Sequence, residues 1–485
     1  MEKQFDVLII GGGAVGCAIA RELARYQLKL AVLEKESDVA AGTSGRNSAV
    51  VHAGFNNRPG TLMAKLCVEG CEGFEAVCAE LDVPYKKTGK LLVAFNEDDL
   101  ATLERLVKQG ETNGCKGLEL VDQETCRKLA PNVGGIGGML SPNTAIFATF
   151  LYTVALAENA LKNGVEFFLN HEVTAIERGE DGFTVTAGGE QFKARMVINS
   201  AGLYSDKVAA LAGVEGYHIY PCRGEYLILD TTTAEQYLSL PIYPAPRAGI
   251  GGLGVHLTPS LHGNILIGPN AEYIDECDDY ETLQSTLDQL FKEAQALLPV
   301  LQRKDIVASY TGIRSKQASP QEGGFHDFVI KEEPACPGLI DLIGIESPGM
   351  TASVPIGRMV AGMVCAKLSP APNPDFDPTR QGILRFATQA PEVKAKLIAE
   401  DADYGEVICR CQQVTKKEII QAIENPLGAR TISAIKYRVW PTTGRCQGGY
   451  CLTRIAEILE KEYGIPAEEI SQRGPGSELF SGKVK

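Results

Sequence analysis

The sequence predicts an α/β protein in three parts. A discontinuous domain built on a parallel sheet carries an inserted antiparallel-sheet domain, and a small cysteine-bearing domain follows at the C-terminus. Three observations lead to this prediction. Strand, glycine-rich turn, helix and strand succeed one another over residues 5–36. Short alternating apolar runs broken by Gly and Pro come later, and four of the 14 cysteines form two close pairs near the end.

Composition indicates a folded, soluble protein of several domains. The 485 residues are 44% apolar and 22% charged, which is typical of globular proteins, and the net charge is −14. An acidic chain without a long Lys/Arg block is not expected to bind nucleic acid or an anionic membrane directly. The best apolar run, Val7–Ala20, contains four glycines, so we predict no membrane-spanning segment. Scattered cysteines and no export signal predict a cytoplasmic protein, peripheral at a membrane only through a partner.

Domain boundaries follow from changes in local pattern. Strand-like fragments after the first turn recur at wide intervals, which predicts a domain assembled from separated pieces. A Pro-rich run begins at Ser369 and predicts a linker. We assign 1–86, 146–221 and 335–368 to the first domain, 87–145 and 222–334 to the inserted substrate domain, 369–403 to the linker, 404–465 to the cysteine-bearing domain and 466–485 to a tail.

The first turn carries the fingerprint of a Rossmann-like dinucleotide site. Gly11 permits the tight turn, Gly13 lets the backbone approach a pyrophosphate, and Gly16 packs the helix on the strand. Glu34 ends the next strand, where an acid accepts hydrogen bonds from a ribose, and the helix N-terminus stabilises the phosphates. The predicted contacts in this part are Gly11, Gly13, Ala14, Val15, Gly16, Glu34 and Lys35.

The segment that follows separates FAD from NAD as the dinucleotide. Residues 41–54, with the sequence AGTSGRNSAVVHAG, resemble the segment beneath the flavin in the FAD superfamily of D-amino-acid-oxidase-like enzymes. Within that superfamily, the chain is most similar to the glycerol-3-phosphate and L-2-hydroxyglutarate dehydrogenases. The resemblance implies an FAD-binding domain, with Ala49 a departure because relatives mostly have Gly there. It implies cofactor contacts from Thr43, Ser44, Arg46, Asn47 and Ser48.

Later motifs extend the resemblance over nearly all of the first 368 residues. Val173 matches the position whose backbone meets the adenine, and the SAG run matches a second loop against the cofactor. The SPGMT run matches the start of a helix aimed at the flavin, where a helix N-terminus stabilises negative charge on the reduced ring. The implied contacts are Val173, Ala201, Gly202, Gly344, Gly349, Met350 and Thr351.

Oxidation of an alcohol needs a base and a group that binds the substrate's anion, besides the hydride acceptor. By resemblance, His256 in the run 252–258 is the expected base, and His52 is expected beside the flavin. Arg314 matches a Gly-hydrophobic-Arg motif that faces a substrate phosphate or carboxylate, which a planar guanidinium can bind through two hydrogen bonds. Arg223 and Lys316 are weaker candidates for the same positive pocket.

The paired cysteines predict a metal centre. Cys409 and Cys411 stand one residue apart, and Cys446 and Cys451 follow 34 residues later, so four thiolates can hold either a 2Fe-2S cluster or a structural zinc. The pattern resembles the bacterioferritin-associated-ferredoxin-like 2Fe-2S domain at the C-terminus of anaerobic glycerol-3-phosphate dehydrogenases. The resemblance implies a cluster that takes electrons one at a time from the flavin.

Together these features predict an FAD-dependent dehydrogenase that oxidises sn-glycerol 3-phosphate to dihydroxyacetone phosphate. We expect electrons to leave through the 2Fe-2S cluster to a partner flavoprotein or a quinone-linked subunit, and we expect an oligomer. Two other enzymes remain open: an L-2-hydroxyglutarate dehydrogenase and an amine- or amino-acid-oxidising relative. A non-catalytic electron-transfer subunit is the alternative from another class.

Overall fold

The computed structural model describes residues 3–234, 236–246 and 254–482. The strands are β1 Lys3–Ile10, β2 Leu30–Leu33, β3 Val50–Val51, β4 Tyr85–Lys87, β5 Lys90–Ala94, β6 Glu119–Asp122, β7 Gly137–Ser141, β8 Ala145–Phe147, β9 Glu166–Phe168, β10 Val173–Arg178, β11 Phe183–Ala187, β12 Glu190–Asn199, β13 Tyr220–Leu229, β14 Ile242–Pro244, β15 His256–Pro259, β16 Ile265–Gly268, β17 Glu272–Tyr273, β18 Ile306–Lys316, β19 Val329–Glu332, β20 Leu339–Ile343, β21 Val407–Cys409 and β22 Val414–Thr415.

The α-helices lie between these strands and fill most of the C-terminal part. They are α1 Ala14–Leu23, α2 Leu62–Glu80, α3 Glu97–Asn113, α4 Gln123–Leu129, α5 Thr149–Lys162, α6 Ser205–Leu211, α7 Thr231–Ala234, α8 Gln284–Leu297, α9 Gly349–Leu368, α10 Pro391–Glu400, α11 Lys416–Ile423, α12 Ile432–Val439 and α13 Cys451–Lys461.

The first sheet is the dinucleotide-binding sheet that the sequence predicts. β1 lies between β2 and β12, all three parallel, and β9 and β20 extend the parallel set. The strands read as continuous apolar runs because helices cover them; α1 and α9 pack together on one face. This arrangement puts the turn after β1 at the carboxyl edge of the sheet, where ligands bind in open α/β folds.

Among the described residues, the inserted sheet has nine strands, and β13 and β18 form its long antiparallel pair. Two predictions about it were wrong in detail. The sheet is mixed, because β14 pairs in parallel with β5. In addition, β19 was predicted inside the inserted domain but pairs with β20 in the first sheet, since Val329 and Ile330 cover apolar residues of that core.

Helix α9 is the segment that bears on the prediction of no membrane-spanning segment. By length and composition alone, Gly349–Leu368 is long and apolar enough to cross a membrane, and it is the one such helix among the residues that the structure describes. Most of this helix is buried, and it packs against α1 and α2. Its apolar character is that of a core helix.

The C-terminal part is a compact helical domain around the short hairpin β21–β22. A capping box starts α11: the Glu418 amide donates to Thr415 Oγ1, and the Thr415 amide donates to Glu418 Oε2. The predicted linker 369–403 is not free chain, because it contains α10 and is tied to the first domain. Arg380 pairs with Glu158 at 2.6 Å with both side chains nearly buried.

Candidate active site and cysteine centre

One large cavity lies between the two main sheets. Its volume of about 890 Å³ is in the range of ligand-binding pockets. All the predicted FAD-contacting and catalytic residues line it except Gly16 and Gly344. These two have structural roles nearby: a Cβ on Gly16 would come 2.0 Å from the carbonyl oxygen of Gly11, and Gly344 has a φ of +67° against Gln317. The motifs therefore meet in one site although they are widely separated along the chain.

The turn after β1 has the shape that a pyrophosphate needs. Gly11 has a φ of +103°, and a Cβ there would come 2.7 Å from the carbonyl oxygen of Ser200. The Gly12 amide donates to Glu34 Oε2 at 2.6 Å, which holds this carboxylate at the end of β2. Burial raises the pKa of Glu34. The hydrogen bond between the turn and Glu34 thus fixes the position of this carboxylate relative to the turn.

The loop before β3 completes the pocket below the predicted flavin. Ser44 accepts a hydrogen bond from the Ala14 amide at 2.9 Å, so this loop caps the N-terminal turn of α1. Ala49 has a φ of +57°, a conformation that glycine adopts without strain and that agrees with the Gly expected there by resemblance. Arg46 stacks on Tyr280, and its buried Nε and Nη2 atoms have no hydrogen-bond partner among the described residues.

His256 has the tautomer of a base. Its Nδ1 lies 3.1 Å from the carbonyl oxygen of Gly254, which can only accept, so Nδ1 carries the proton. Nε2 therefore presents a lone pair, 3.1 Å from Ser48 Oγ. Burial lowers the pKa of His256 to about 3, and the ring stacks on Tyr243 with centroids 3.9 Å apart. The first two residues of the predicted motif, 252 and 253, lie outside the described residues.

His52 lies in the same cavity, near the start of α9. Its backbone amide donates to Thr351 Oγ1 at 3.0 Å, and its Nε2 is 3.4 Å from Ser347 Oγ. Burial lowers the pKa of His52 well below its usual value, so this histidine is also neutral near pH 7. The structure thus brings together the two histidines that the sequence selected.

Arg314 is the arginine that is available to a substrate. Its Nη1 and Nη2 both donate to the carbonyl oxygen of Asn270 at 3.2 Å, and no carboxylate pairs with it among the residues the structure describes. The two weaker candidates are occupied. Arg223 forms ion pairs with Glu272 and Asp279 outside the cavity. Lys316 is fully buried in an ion pair with an acid of the segment before α9.

Lys90 is a site residue that sequence reasoning missed. It is 2% exposed, lines the cavity, and has no carboxylate partner in the described part of the chain. Its Nζ lies 4.4 Å from the ring centroid of Tyr243 and 4.7 Å from that of Phe55. Burial lowers its pKa to about 8. A lysine that begins the apolar run KLLVAF is the signal that could have revealed it.

The four predicted cysteines come together at one edge of the C-terminal domain. The Sγ atoms of Cys411 and Cys446 are 3.5 Å apart, and Cys409 hydrogen-bonds Cys451. That bond, together with the backbone N–H groups of its surroundings, lowers the pKa of Cys409 to about 6. Two pairs of thiolates can supply two ligands to each iron of a 2Fe-2S cluster.

The residues present fit FAD as well. A cradle without side chains at Gly11 and Gly13, an acid at Glu34 and the unpartnered buried guanidinium atoms of Arg46 all face one cavity. The start of α9 lies at the far end of the same cavity, where its N-terminus can stabilise a reduced flavin.

Comparisons with known proteins agree with this geometry. The family described as FAD dependent oxidoreductase matches residues 6–363, and the BFD-like 2Fe-2S binding domain matches residues 407–461. Glycerol 3-phosphate dehydrogenase from Caloramator mitchellensis is 37% identical over 99% of both chains. Mitochondrial L-2-hydroxyglutarate dehydrogenase from Caenorhabditis elegans is 32% identical over 74% of this chain and 92% of its own.

A solved structure gives the same picture. L-alpha-glycerophosphate oxidase from Mycoplasma pneumoniae, with FAD bound, superposes with a TM-score of 0.73 at 30% identity and covers 78% of this chain and 98% of its own. The prediction of FAD and a 2Fe-2S cluster as cofactors is confirmed. The chain belongs to the FAD-dependent oxidoreductases, and it carries a 2Fe-2S domain of the BFD-like family at its C-terminus.

Proposed function

We propose that this enzyme oxidises sn-glycerol 3-phosphate to dihydroxyacetone phosphate and passes the electrons through its 2Fe-2S cluster to a separate acceptor. The observation that supports this proposal best is the convergence of two neutral histidines and two unpaired cations on one cavity. The histidines are His52 and His256, and the cations are Arg314 and Lys90. Such a set can bind an anion and take a proton from a hydroxyl group in the same place.

The charge balance of the site favours an anionic substrate. Of the carboxylates that line the cavity, Asp327 and Glu346 are both occupied. Asp327 accepts two backbone N–H bonds at the start of α2, at 2.8 and 2.9 Å. Glu346 pairs with Lys316 at 3.0 Å. Arg314 and Lys90 therefore keep their positive charge for a ligand, and a phosphate can accept hydrogen bonds from both.

The proton of the substrate hydroxyl goes to a histidine. His256 is the better base of the two, because its Nδ1 is held by a carbonyl oxygen and its Nε2 is free to accept. FAD, when bound, supplies the acceptor for the hydride. The low pKa that burial gives the free histidine means that the ring is unprotonated before substrate arrives. A substrate anion nearby would then stabilise the imidazolium as it forms.

The extent of the relatives' similarity supports glycerol 3-phosphate over a 2-hydroxy acid. The glycerol 3-phosphate dehydrogenase relative aligns with the whole chain, whereas the L-2-hydroxyglutarate dehydrogenases align with about three quarters of it. A carboxylate could also bind Arg314 and Lys90, so L-2-hydroxyglutarate is the second candidate. The C-terminal domain is the part of the chain that favours the first.

For the electron route, we propose passage through the apolar cluster between the two cofactor sites. Met350 at the start of α9, Phe150 and Trp440 belong to one core cluster. Trp440 also contacts His262 of the inserted domain, with ring centroids 4.3 Å apart. Two residues further, the Thr442 backbone N–H bonds the sulfur of Cys409. The cysteine centre is therefore packed against the domain that holds the flavin.

The test is anaerobic mixing of the enzyme with each candidate substrate. We expect glycerol 3-phosphate to bleach the flavin absorbance and then to produce the electron paramagnetic resonance signal of a reduced 2Fe-2S cluster. Iron and acid-labile sulfide would be measured on the same sample. His218→Gln, at an exposed histidine that does not line the cavity, is the control that should react like the unmodified enzyme.

Other outcomes would assign the protein differently. Bleaching by L-2-hydroxyglutarate alone would move it to the second candidate. Bleaching by amines or amino acids alone would identify an amine- or amino-acid-oxidising enzyme. Flavin bleaching without a cluster signal would contradict the electron route and leave the substrate assignment standing.

A further inference from the structure

The C-terminal segment Ser471–Gly474 reaches the FAD cavity, although it lies outside the region 6–363 that matches the FAD-dependent oxidoreductases. Arg473 lines the cavity together with Glu34 and Lys35. The sequence alone predicts a tail after the last domain at this residue.

The backbone of this segment is held from both sides. On the FAD-domain side, the Ser37 hydroxyl donates to the carbonyl oxygen of Arg473, and Gly474 lies against Ser37, where a Cβ would come 3.1 Å from the Ser37 Oγ. On the other side, the Ser433 amide at the start of α12 donates to the carbonyl oxygen of Gln472 at 2.9 Å. The Arg473 amide donates to Ser477 Oγ at 2.8 Å. The position of Arg473 is therefore defined by both domains.

A buried ion pair fixes α12 on the same part of the FAD domain. Arg438 donates from Nη1 and Nη2 to the two oxygens of Asp38 at 2.7 and 3.2 Å, and both side chains are at most 4% exposed. Tyr437 stacks on Phe150 with ring centroids 4.7 Å apart. Asp38, which binds α12, therefore lies four residues after Glu34, a residue that lines the cavity.

The Arg473 side chain is a cation without a protein partner in the described ranges. Lys35, the neighbouring cation, is already paired with Glu36 at 2.8 Å. By the motif assignment, Glu34 and Val173 mark the adenosine end of the cavity, and Arg473 lies at that end. The adenosine diphosphate half of FAD carries the negative charge of the cofactor, so an unpaired guanidinium there has an anion to bind.

We propose that the segment Ser471–Gly474 is part of the FAD site and that Arg473 binds the adenosine diphosphate half of the cofactor. The 2Fe-2S domain thereby stabilises FAD in addition to accepting its electrons. Linkage makes this effect reciprocal: FAD stabilises the docked position of the 2Fe-2S domain by the same free energy.

The test measures FAD affinity, with no use of turnover. Deflavinated protein is titrated with FAD while flavin fluorescence is recorded, for the unmodified chain, Arg473→Gln, Arg473→Lys and the control Arg430→Gln. Arg430 lies in the same domain, stacks over Tyr463 and is outside the cavity. We expect Arg473→Gln to raise the FAD dissociation constant roughly 10-fold, since that factor corresponds to one moderate charged contact. We expect a smaller loss of FAD affinity in Arg473→Lys and no loss in Arg430→Gln.

Competition by ADP locates the contact. We expect Arg473→Gln to weaken ADP binding by the same factor as FAD binding, because ADP contains the half of FAD that Arg473 binds. The visible spectrum and iron content of the cluster confirm that each variant is folded. An unchanged FAD dissociation constant in Arg473→Gln would overturn the proposal. Weaker FAD binding with unchanged ADP binding would also overturn it, since the contact would then lie at the flavin half.

Discussion

The two cofactor sites of this protein are built in opposite ways. The FAD cavity is lined by segments between Ile10 and Thr351 and by Arg473, and its candidate base His256 is 4% exposed. The cysteine centre is formed by two short segments at an edge, with Cys409 and Cys451 buried and Cys411 and Cys446 exposed. Burial keeps water away from the candidate base, whereas a half-exposed cluster can give electrons to another protein. Under the proposed function, bonds would change at the buried site and electrons would leave at the exposed one.

The largest effect should come from removing the exposed half of the cysteine centre. In the double variant Cys411→Ser, Cys446→Ser, we expect complete loss of iron, because two ligands cannot hold the cluster. The FAD cavity shares no residue with this pair, so substrate should still bleach the flavin. Iron analysis and anaerobic spectra measure the two effects. Cys365→Ser, a half-buried cysteine of α9, is the control that should keep its iron. Loss of flavin bleaching in the double variant would show that the two sites are not separable.

His256→Gln should have the next largest effect. Glutamine keeps a polar side chain of similar length but cannot take up a proton, so we expect kcat to fall roughly 1000-fold, as for the loss of a general base. FAD content should not change. Stopped-flow measurement of flavin reduction reports the chemical step directly. His52→Gln is the comparison: if it costs more than His256→Gln, the roles of the two histidines are reversed.

The comparison also shows what the sequence could predict. Local patterns sufficed for the strand-turn-helix start, the cysteine pairs and the apolar strands, because each depends on neighbours along the chain. The strand β19 could not be placed, because its partner β20 is chosen by packing and not by its own four residues. Lys90 and Arg473 were missed for a related reason. Both bring a charge into the cavity from segments whose local sequence is that of a strand and of a tail.

Lys90→Met should weaken substrate binding about 10- to 100-fold, because it removes one or two charged hydrogen bonds to the substrate anion. The expected change is in KM, with a smaller change in kcat. In the unmodified enzyme, KM should rise above pH 8, since the pKa of Lys90 is lowered to about 8 by burial. Lys90→Arg should remove this rise, because arginine stays charged. Initial rates between pH 6.5 and 9.5, chosen around that pKa, check both.

Stability separates a functional Lys90 from a structural one. The pKa of Lys90 is about 8 in the folded protein and 10.5 in the unfolded chain, so between these pH values the unfolded state holds a proton that the folded state has lost, and stability rises with pH there. The charged lysine therefore opposes folding at pH 7, and the opposition disappears as pH rises through 8 and above. Lys90→Met should raise the melting temperature at pH 7 while it raises KM. A lower melting temperature together with an unchanged KM would make Lys90 a core residue.

The smallest expected effect concerns the backbone under the flavin. Ala49 is left-handed at a φ of +57°, which costs a non-glycine residue about 1 kcal/mol. Ala49→Gly removes this strain, but the added freedom of the unfolded chain offsets roughly half of it. We expect a melting temperature about 1 to 2 °C higher, with flavin fluorescence as the probe of melting. Ala145→Gly is the matched control, since Ala145 is fully buried in β8 without a positive φ, and it should melt lower. If both variants melted lower, the packing of the Ala49 methyl group would outweigh its backbone strain. The loop would then tolerate the strain because it is held by Asn47, whose side-chain oxygen accepts a hydrogen bond from the Ala49 amide at 2.9 Å.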